Sequence, residues 1–371
     1  MNRQNDPGNG RMETMMQRRI PFIELYGSHY QMGCQFGEAR RDQIRHSVVN
    51  ARELLQDAYD TLQLSWEGAI IQSRKYIPFA EERYPEYVAE MRGIADGAGV
   101  SFDEVAVVNA MEAVTMDALH LTKCTSMAVA PERSANEHVL VAHNEDWLPE
   151  DEDDLVIIHA RPEDAPPFLA MTYGALLPNI GFNAEGIAQC CDSVYPNDSR
   201  IGTPRVVVSR AVLSARTPAE AIRYTLSPQR AAGYNHLIAH VSGELYNVEV
   251  SARRFAILGS EQGVIAHTNH FMHPHMQEIE SDPDELISTR VRYFRSHRLL
   301  GLTQAHTLES LKAIQRDHVN YQDSICNHAI DEKQPLDREK TITALLFDLD
   351  ERRLWATWGN PCENDYFEYA L

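Results

Sequence analysis

Hydrophobic and polar positions follow two different rhythms along the chain, and the change falls near residue 123. Before it, a short apolar run at 20–25 predicts a strand, and residues 37–64 and 68–95 then carry apolar side chains at helical spacing. Ser28 is placed to cap the first helix, its hydroxyl receiving a free backbone N–H. Pro78 and Pro85 interrupt the second stretch, Gly93 to Gly99 read as a helix C-terminus and turn, and Ser101 caps a further helix running to 113. After Lys123 the pattern turns to short β-prone runs. Residues 124–130 and 138–143, joined by a segment of turn composition, predict a hairpin whose first strand begins at Cys124. Further strands are expected at 155–160, 168–172, 186–191, 236–240, 245–250, 254–257, 264–267, 343–348 and 353–357, with helices at 205–215, 217–226, 284–300 and 307–315. Strands in runs and helices in runs argue for a layered α+β fold with antiparallel sheets, not repeated βαβ units. The acidic run 150–154 reads as a solvated loop.

Composition narrows the function classes. The 371 residues are 43% hydrophobic and 24% charged, ordinary for a soluble globular chain able to bury a large core. A net charge of -20, from 34 Lys and Arg against 54 Asp and Glu, repels phosphate backbones and anionic membranes. Neither nucleic acid nor a membrane is expected as a partner. No apolar stretch approaches the roughly 18 residues of a membrane span. Residues 1–19 are polar, without the apolar centre of a signal peptide, and read as a disordered leader of a cytoplasmic protein. The six cysteines, Cys34, Cys124, Cys190, Cys191, Cys326 and Cys362, lack the spacing of a disulfide framework or zinc ribbon. Five of them read as small apolar residues.

The exception is Cys124. It stands where the helical region meets the strand-rich one. The returning strand of the predicted hairpin would bring Asn144 and Asp146 beside it. Thr268-Asn269-His270-Phe271 follows another strand and offers a polar side chain at a strand end.

In order along the chain stand Gly27-Ser-His-Tyr-Gln-Met-Gly33, Glu90-Met-Arg-Gly-Ile-Ala-Asp-Gly-Ala-Gly99 and Cys124-Thr-Ser126. They are followed by His143-Asn-Glu-Asp-Trp147, Gly181-Phe-Asn-Ala-Glu-Gly186, Thr268-Asn-His-Phe271 and Ser324-Ile-Cys-Asn-His328. This series resembles the acyl-coenzyme A:6-aminopenicillanic acid acyltransferase family, which includes β-alanyl amine hydrolases. The resemblance implies a four-layer αββα N-terminal-nucleophile hydrolase fold and an inactive precursor that cuts itself between Lys123 and Cys124. Residues 20–123 would form the helical small subunit, still bound after cleavage. Residues 124–371 would form the sheet-rich large subunit, the two making one integrated domain. It further implies an amidohydrolase or acyltransferase that opens C–N amide bonds of small N-acyl compounds through a thioester on Cys124. By family position, Cys124 is the nucleophile and its freed α-amine the base, with Ser126 assisting self-cleavage. Asp146 orients the α-ammonium or the Ser126 hydroxyl, Asn269 supplies the oxyanion-hole amide, and Asn144 is a candidate for holding the α-amine. The substrate is a small acyl-amide or acyl-thioester, and neither cofactor nor metal is implied. Such chemistry suits a terminal cysteine. A thiol titrates near about 8.5, and an α-amine, near about 7.7–8.0, can take its proton on the same residue. Lys123 departs from the glycine that many members have before the nucleophile, which would slow self-cleavage, since glycine tolerates a strained backbone.

Other readings compete. His143 could serve as base in a conventional Cys-His hydrolase that is never cleaved, or the fold could be an inactive binding protein. Bile-salt hydrolases expose their cysteine near the chain start and ceramidase-like amidases are usually secreted, so a 123-residue presegment without a signal peptide fits the first family better. The histidines His267, His270, His273 and His275 invite a zinc site, but a polar loop is preferred because no carboxylate–histidine helix motif accompanies them. Arg290 or Arg292 could anchor a substrate carboxylate, with a solvated helix face the preferred reading.

Overall fold

The computed structural model describes residues 18–115, 123–260, 262–281, 286–330 and 338–371. Strand β1 (Phe22–Gly27) opens the fold. Eight helices follow: α1 (His29–Ala39), α2 (Arg41–Asp57), α3 (Tyr59–Leu62), α4 (Trp66–Ser73), α5 (Ile77–Arg83), α6 (Pro85–Ala98), α7 (Phe102–Asn109) and α8 (Met111–Val114). The chain then becomes strand-rich, with β2 (Lys123–Val129), β3 (Leu140–Trp147), β4 (Leu155–Pro162), β5 (Phe168–Tyr173), β6 (Ile180–Asn183) and β7 (Ile187–Asp192). Helices α9 (Arg205–Val212) and α10 (Pro218–Thr225) precede β8 (Tyr234–His240), β9 (Leu245–Val250), β10 (Phe255–Gly259) and β11 (Val264–His267). The last elements are α11 (Pro274–Gln277), α12 (Ile287–Leu302), α13 (Leu308–Gln315), β12 (Lys340–Asp348), β13 (Arg353–Ala356) and β14 (Phe367–Ala370). Ser28 caps α1 in a full capping box with Gln31, and Ser101 caps α7 likewise with Glu104.

The strands form two sheets, one in the order β1-β4-β5-β6-β7-β8-β9-β10 and the other β11-β2-β3-β12-β13-β14. Among the described residues the sheets are antiparallel as expected, apart from the edge pairing of β1 with β4, which is parallel. Side-chain alternation shows the layering. On β4, Leu155 and Ile157 face the second sheet, while Val156, Ile158 and Ala160 pack under α1, α5 and α6. On β2, Ala128 points between the sheets, whereas Met127 and Val129 meet Leu300 of α12 and Leu311 of α13. The result is the four-layer αββα fold, helices outside and sheets within.

Two expectations change, and a third lies mostly outside the described residues. Gly93 lies inside α6, while Gly97 stands in its last turn and Gly99 takes the left-handed C-cap conformation, at φ +67°, so the expected helix end holds from Gly97 on. Gly93 and Gly97 face Gly33 and Gly37 of α1, and the helices touch backbone to backbone. A Cβ on Gly93 would lie 2.2 Å from the Tyr30 carbonyl oxygen. The acidic run forms a 3-10 turn, not a solvated loop: Asp151 and Asp154 are buried, bonded to Trp147 and His46. The expected leader lies outside the described residues over 1–17, while Arg18 pairs with Asp153 and Arg19 donates to the Glu368 carbonyl.

Candidate active site

Cys124 is buried at the start of β2, an interior strand of the six-stranded sheet. The β2–β3 register sets Lys123 opposite Asp146, Cys124 opposite Glu145, Thr125 opposite Asn144 and Ser126 opposite His143. Alternation then decides which side chains meet. Cys124, Ser126, His143 and Glu145 share the face between the sheets, and Asn144 and Asp146 turn to the other.

On the inner face the Cys124 Sγ stands 3.6 Å from Glu145 Oε2, which also receives His143 Nε2 at 2.8 Å. His143 Nδ1 lies 2.9 Å from Ser126 Oγ, which donates to Asp192 Oδ1 at 2.7 Å. Asp192, on β7 of the facing sheet, also meets Asn235 and His267, and His267 reaches Glu249 at 3.0 Å. A continuous polar network thus crosses the otherwise apolar space between the sheets. Burial and the neighbouring Glu145 carboxylate push the Cys124 thiol far above its ordinary value. Burial alone would lower the His143 pKa, but hydrogen bonds with Cys124, Cys190 and Glu145 outweigh it and raise it well above the usual range. The atom best placed to take the Cys124 proton is Glu145 Oε2.

The Cys124 backbone is held separately. Its N–H donates to Asn269 Oδ1 at 2.8 Å, and its carbonyl oxygen accepts from Arg292 Nη1. Arg292 Nη2 also reaches Asn269 Oδ1, at 2.8 Å, and Asn269 Nδ2 donates to the Ser193 carbonyl at 3.0 Å. Thr289, one turn before Arg292 on α12, receives the Asn269 N–H. Arg292 is 1% exposed, so the solvated-face reading fails for it, whereas Arg290 is partly exposed and pairs with Glu280.

Of the residues singled out in sequence, Cys124, Ser126 and Asn269 come together here. Asn144 does not: its amide donates to the carbonyls of Gln315 and Ile325, under α13, so it does not hold the Cys124 nitrogen. Asp146 receives the Thr341 hydroxyl at 2.6 Å on the outer side of β3, away from Ser126. Burial pushes its carboxyl up to about 7, against the pull of Arg292, Thr341 and Lys123. Glu145, Asp192 and Arg292 were not assigned to the site from sequence. Parity along β3 pointed to Glu145, had the hairpin register been known. Nothing local marked Asp192. The histidines His267, His270, His273 and His275 do not gather: His267 joins the inter-sheet network, His270 meets Thr289, and His273 caps α11.

A pocket of about 200 Å³ opens beside this centre, between α2, α7, α8 and the sheets. Leu54, Met111, Trp147, Tyr173 and Tyr234 line it, and it reaches Glu145, next to the thiol. Glu53, Asp57, Glu112, Glu150 and Asp151 border it, with Arg338 the one basic residue among the described ones that line it.

Comparison with known proteins shows the family. Acyl-coenzyme A:6-aminopenicillanic-acid-acyltransferase 40 kDa form of Emericella nidulans is 24% identical over 349 residues, 92% of this chain and 94% of that protein. Beta-alanyl-dopamine/carcinine hydrolase of Drosophila melanogaster is 23% identical over 56% of this chain and 57% of its own length. Among solved structures, penicillin V acylase from Agrobacterium tumefaciens is 14% identical, with a TM-score of 0.45, over 67% of this chain and 86% of its own. A mutant conjugated bile acid hydrolase from Clostridium perfringens is 11% identical, with a TM-score of 0.43, over 67% of this chain and 97% of its own. No helix among the described residues is long and apolar enough to cross a membrane. The family model for acyl-coenzyme A:6-aminopenicillanic acid acyl-transferase matches residues 133–363, well over half of the chain, and the chain belongs to that family of enzymes.

Proposed function

We propose that the chain is a self-cleaving N-terminal-cysteine amidohydrolase or acyltransferase acting on C–N amide bonds of small N-acyl compounds. The observation that carries the reading is the double hold on Cys124. Its nitrogen is received by Asn269 and its carbonyl by Arg292, while its thiol faces an acceptor carboxylate beside a pocket. That nitrogen is the atom self-cleavage would free.

In the first step the Cys124 sulfur attacks the Lys123 carbonyl carbon and its proton passes to Glu145. The Lys123–Cys124 C–N bond then breaks, the nitrogen takes the proton, and Lys123 is left as a thioester on Sγ. Water hydrolyses that thioester, releasing the Lys123 carboxylate and restoring the thiol. In turnover the new α-amine, positioned by Asn269 Oδ1, takes the thiol proton as sulfur attacks the substrate amide, and the amine leaves with that proton. Water completes hydrolysis, or a second amine completes acyl transfer. Acidic residues outnumber basic ones around the pocket, which suits neutral or cationic substrates over anionic ones.

Intact mass under denaturing conditions tests this. The 123 residues before Cys124 and the 248 from Cys124 onward divide 42.1 kDa into fragments of about 14 and 28 kDa, the larger beginning Cys-Thr-Ser. Cys124→Ala should give one uncut, inactive chain. An uncut parent with thiol-dependent activity would sink the proposal in favour of the Cys-His reading, for which the contact of His143 with Glu145 beside the thiol is the supporting geometry.

A further inference from the structure

Two of the cysteines expected to be inert apolar residues lie together with two histidines. His318, Cys326 and His328 belong to the segment between α13 and β12, and Cys362 to the loop between β13 and β14. Their ligand atoms lie within 4.8 Å of one another. His318 Nε2 is 3.1 Å from His328 Nε2. Cys326 Sγ is 3.5 Å from both His328 Nε2 and Cys362 Sγ, and Cys362 Sγ is 3.4 Å from His328 Nε2. We propose that these four residues form a structural zinc site.

The distances carry the argument. A tetrahedral zinc ion with Zn–S near 2.3 Å and Zn–N near 2.0–2.1 Å sets ligand edges of about 3.8 Å for S···S, 3.6 Å for S···N and 3.3 Å for N···N. Each of the four separations falls within about 0.3 Å of its edge. Two thiols and two imidazoles converging on one point have no common reason to do so through their own hydrogen bonds. Around a borderline-soft cation they have one, and a closed set of four protein ligands of this kind is structural, not catalytic. The surroundings fit as well. His328 turns Nε2 to the cluster and Nδ1 towards the Glu363 carboxylate at 3.9 Å, and Asn360 Nδ2 approaches Cys326 Sγ at 3.5 Å. The Tyr321 ring packs against both imidazoles.

The segment the ion would fasten forms a flank of the candidate active site. Asp323 holds the Lys123 ammonium at 3.1 Å, and the Ile325 carbonyl receives Asn144. The Asn327 N–H donates to Thr341, whose hydroxyl in turn donates to Asp146. Zinc would clamp this segment to the C-terminal loop through Cys362, and so hold the stretch that grips the residue before the nucleophile.

The test uses the full chain without a histidine tag. Metal analysis of the reduced, zinc-exposed and desalted protein should find zinc equimolar with the chain. Cobalt added to the metal-free chain should give a thiolate-to-cobalt charge-transfer band and the strong visible bands of a tetrahedral ion. His318 and Cys362 are exposed, so His318→Ala and Cys362→Ser should fold, as checked by circular dichroism, while losing stoichiometric zinc. A chelator should lower the unfolding temperature of the parent and leave that of Cys362→Ser unmoved. The proposal is overturned if the reduced parent binds no stoichiometric zinc, if Cys362→Ser retains it, or if Cys326 and Cys362 are joined as a disulfide that persists under the purification reductant.

Discussion

At Asp146, burial sets the charge state and links it to stability. Its carboxyl titrates near 3.8 in the unfolded chain and at about 7 in the folded one, so the folded chain binds that proton more tightly. The stabilisation is complete below about pH 4 and is lost as pH rises through about 7. Asn keeps the acceptor for Thr341 and cannot titrate. In an uncut Cys124→Ala background, Asp146→Asn should therefore flatten the fall in stability between pH 4 and 7, by on the order of a few kcal/mol, read from urea midpoints. Parallel curves for the two proteins would show that Asp146 does not titrate in this range. Arg292 gives a second residue-scale prediction. Lysine keeps its charge but not the planar fork that bridges the Cys124 carbonyl and Asn269. Arg292→Lys should slow turnover by roughly a hundredfold, the scale of losing one well-placed donor, with little change in the urea midpoint. At this scale the sequence was legible in residue type but not in facing. Cys124 and Asn269 stood out by position, whereas Asn144 and Asp146 turn to the opposite face of β3 from His143 and Glu145, one residue away in each case. Alternation makes that a complete change of side, and only the pairing register resolves it.

Among the elements, the α1–α6 contact shows how a residue without a side chain can be indispensable. Gly93 and Gly97 meet Gly33 and Gly37 where the helix backbones touch, and added methyl groups would fall 2.2 Å from the Tyr30 oxygen and 2.3 Å from the Cys34 oxygen. Neither neighbour is a movable side chain. Gly93→Ala should cost about 1–3 kcal/mol or more through separation of the helices. Gly301, inside α12 with nothing within 4 Å of its would-be Cβ, should show the opposite sign and gain up to about 1 kcal/mol as alanine. Chemical denaturation of both variants settles the pair, and equal effects would rule out the packing account. These glycines read as a helix end because glycine signals a break locally, while the close approach that favours it is made by a helix some sixty residues away. The same limit governs the strands. Runs such as 155–160 and 245–250 announced β4 and β9, and the four-residue β11 and β13 registered too, but β6 and β14 did not stand out as a pattern. The parallel β1–β4 pairing, like the meeting of His318, Cys326, His328 and Cys362, is tertiary and has no local signature.

For the molecule as a whole, the bond proposed to break joins two segments that cannot bury their apolar surfaces apart. Strand β1 pairs with β4 from Phe22–Ile157 to Gly27–Pro162, and the Tyr369 hydroxyl donates to the Ile20 carbonyl. Val88, Met91 and Ile94 of α6 share one core with Val156, Ile158 and Phe168 from beyond the cut, and Leu54 and Leu55 of α2 share another with Leu169 and Phe182. Hiding a leucine or phenylalanine of this kind contributes about 1.5–3 kcal/mol each, so losing one peptide bond should leave the association far from reversal. The pocket, too, draws Leu54 and Met111 from one side of the cut and Trp147 and Tyr234 from the other. After cleavage the two fragments should therefore elute together on native gel filtration at the size of the uncut chain and part only in denaturant. In a urea series, amidase activity should vanish at the concentration that separates them. A small fragment that leaves under native conditions, or activity that persists in the isolated large fragment, would mean that the helical segment is a removable propeptide and that the pocket beside Glu145 is not where the substrate binds.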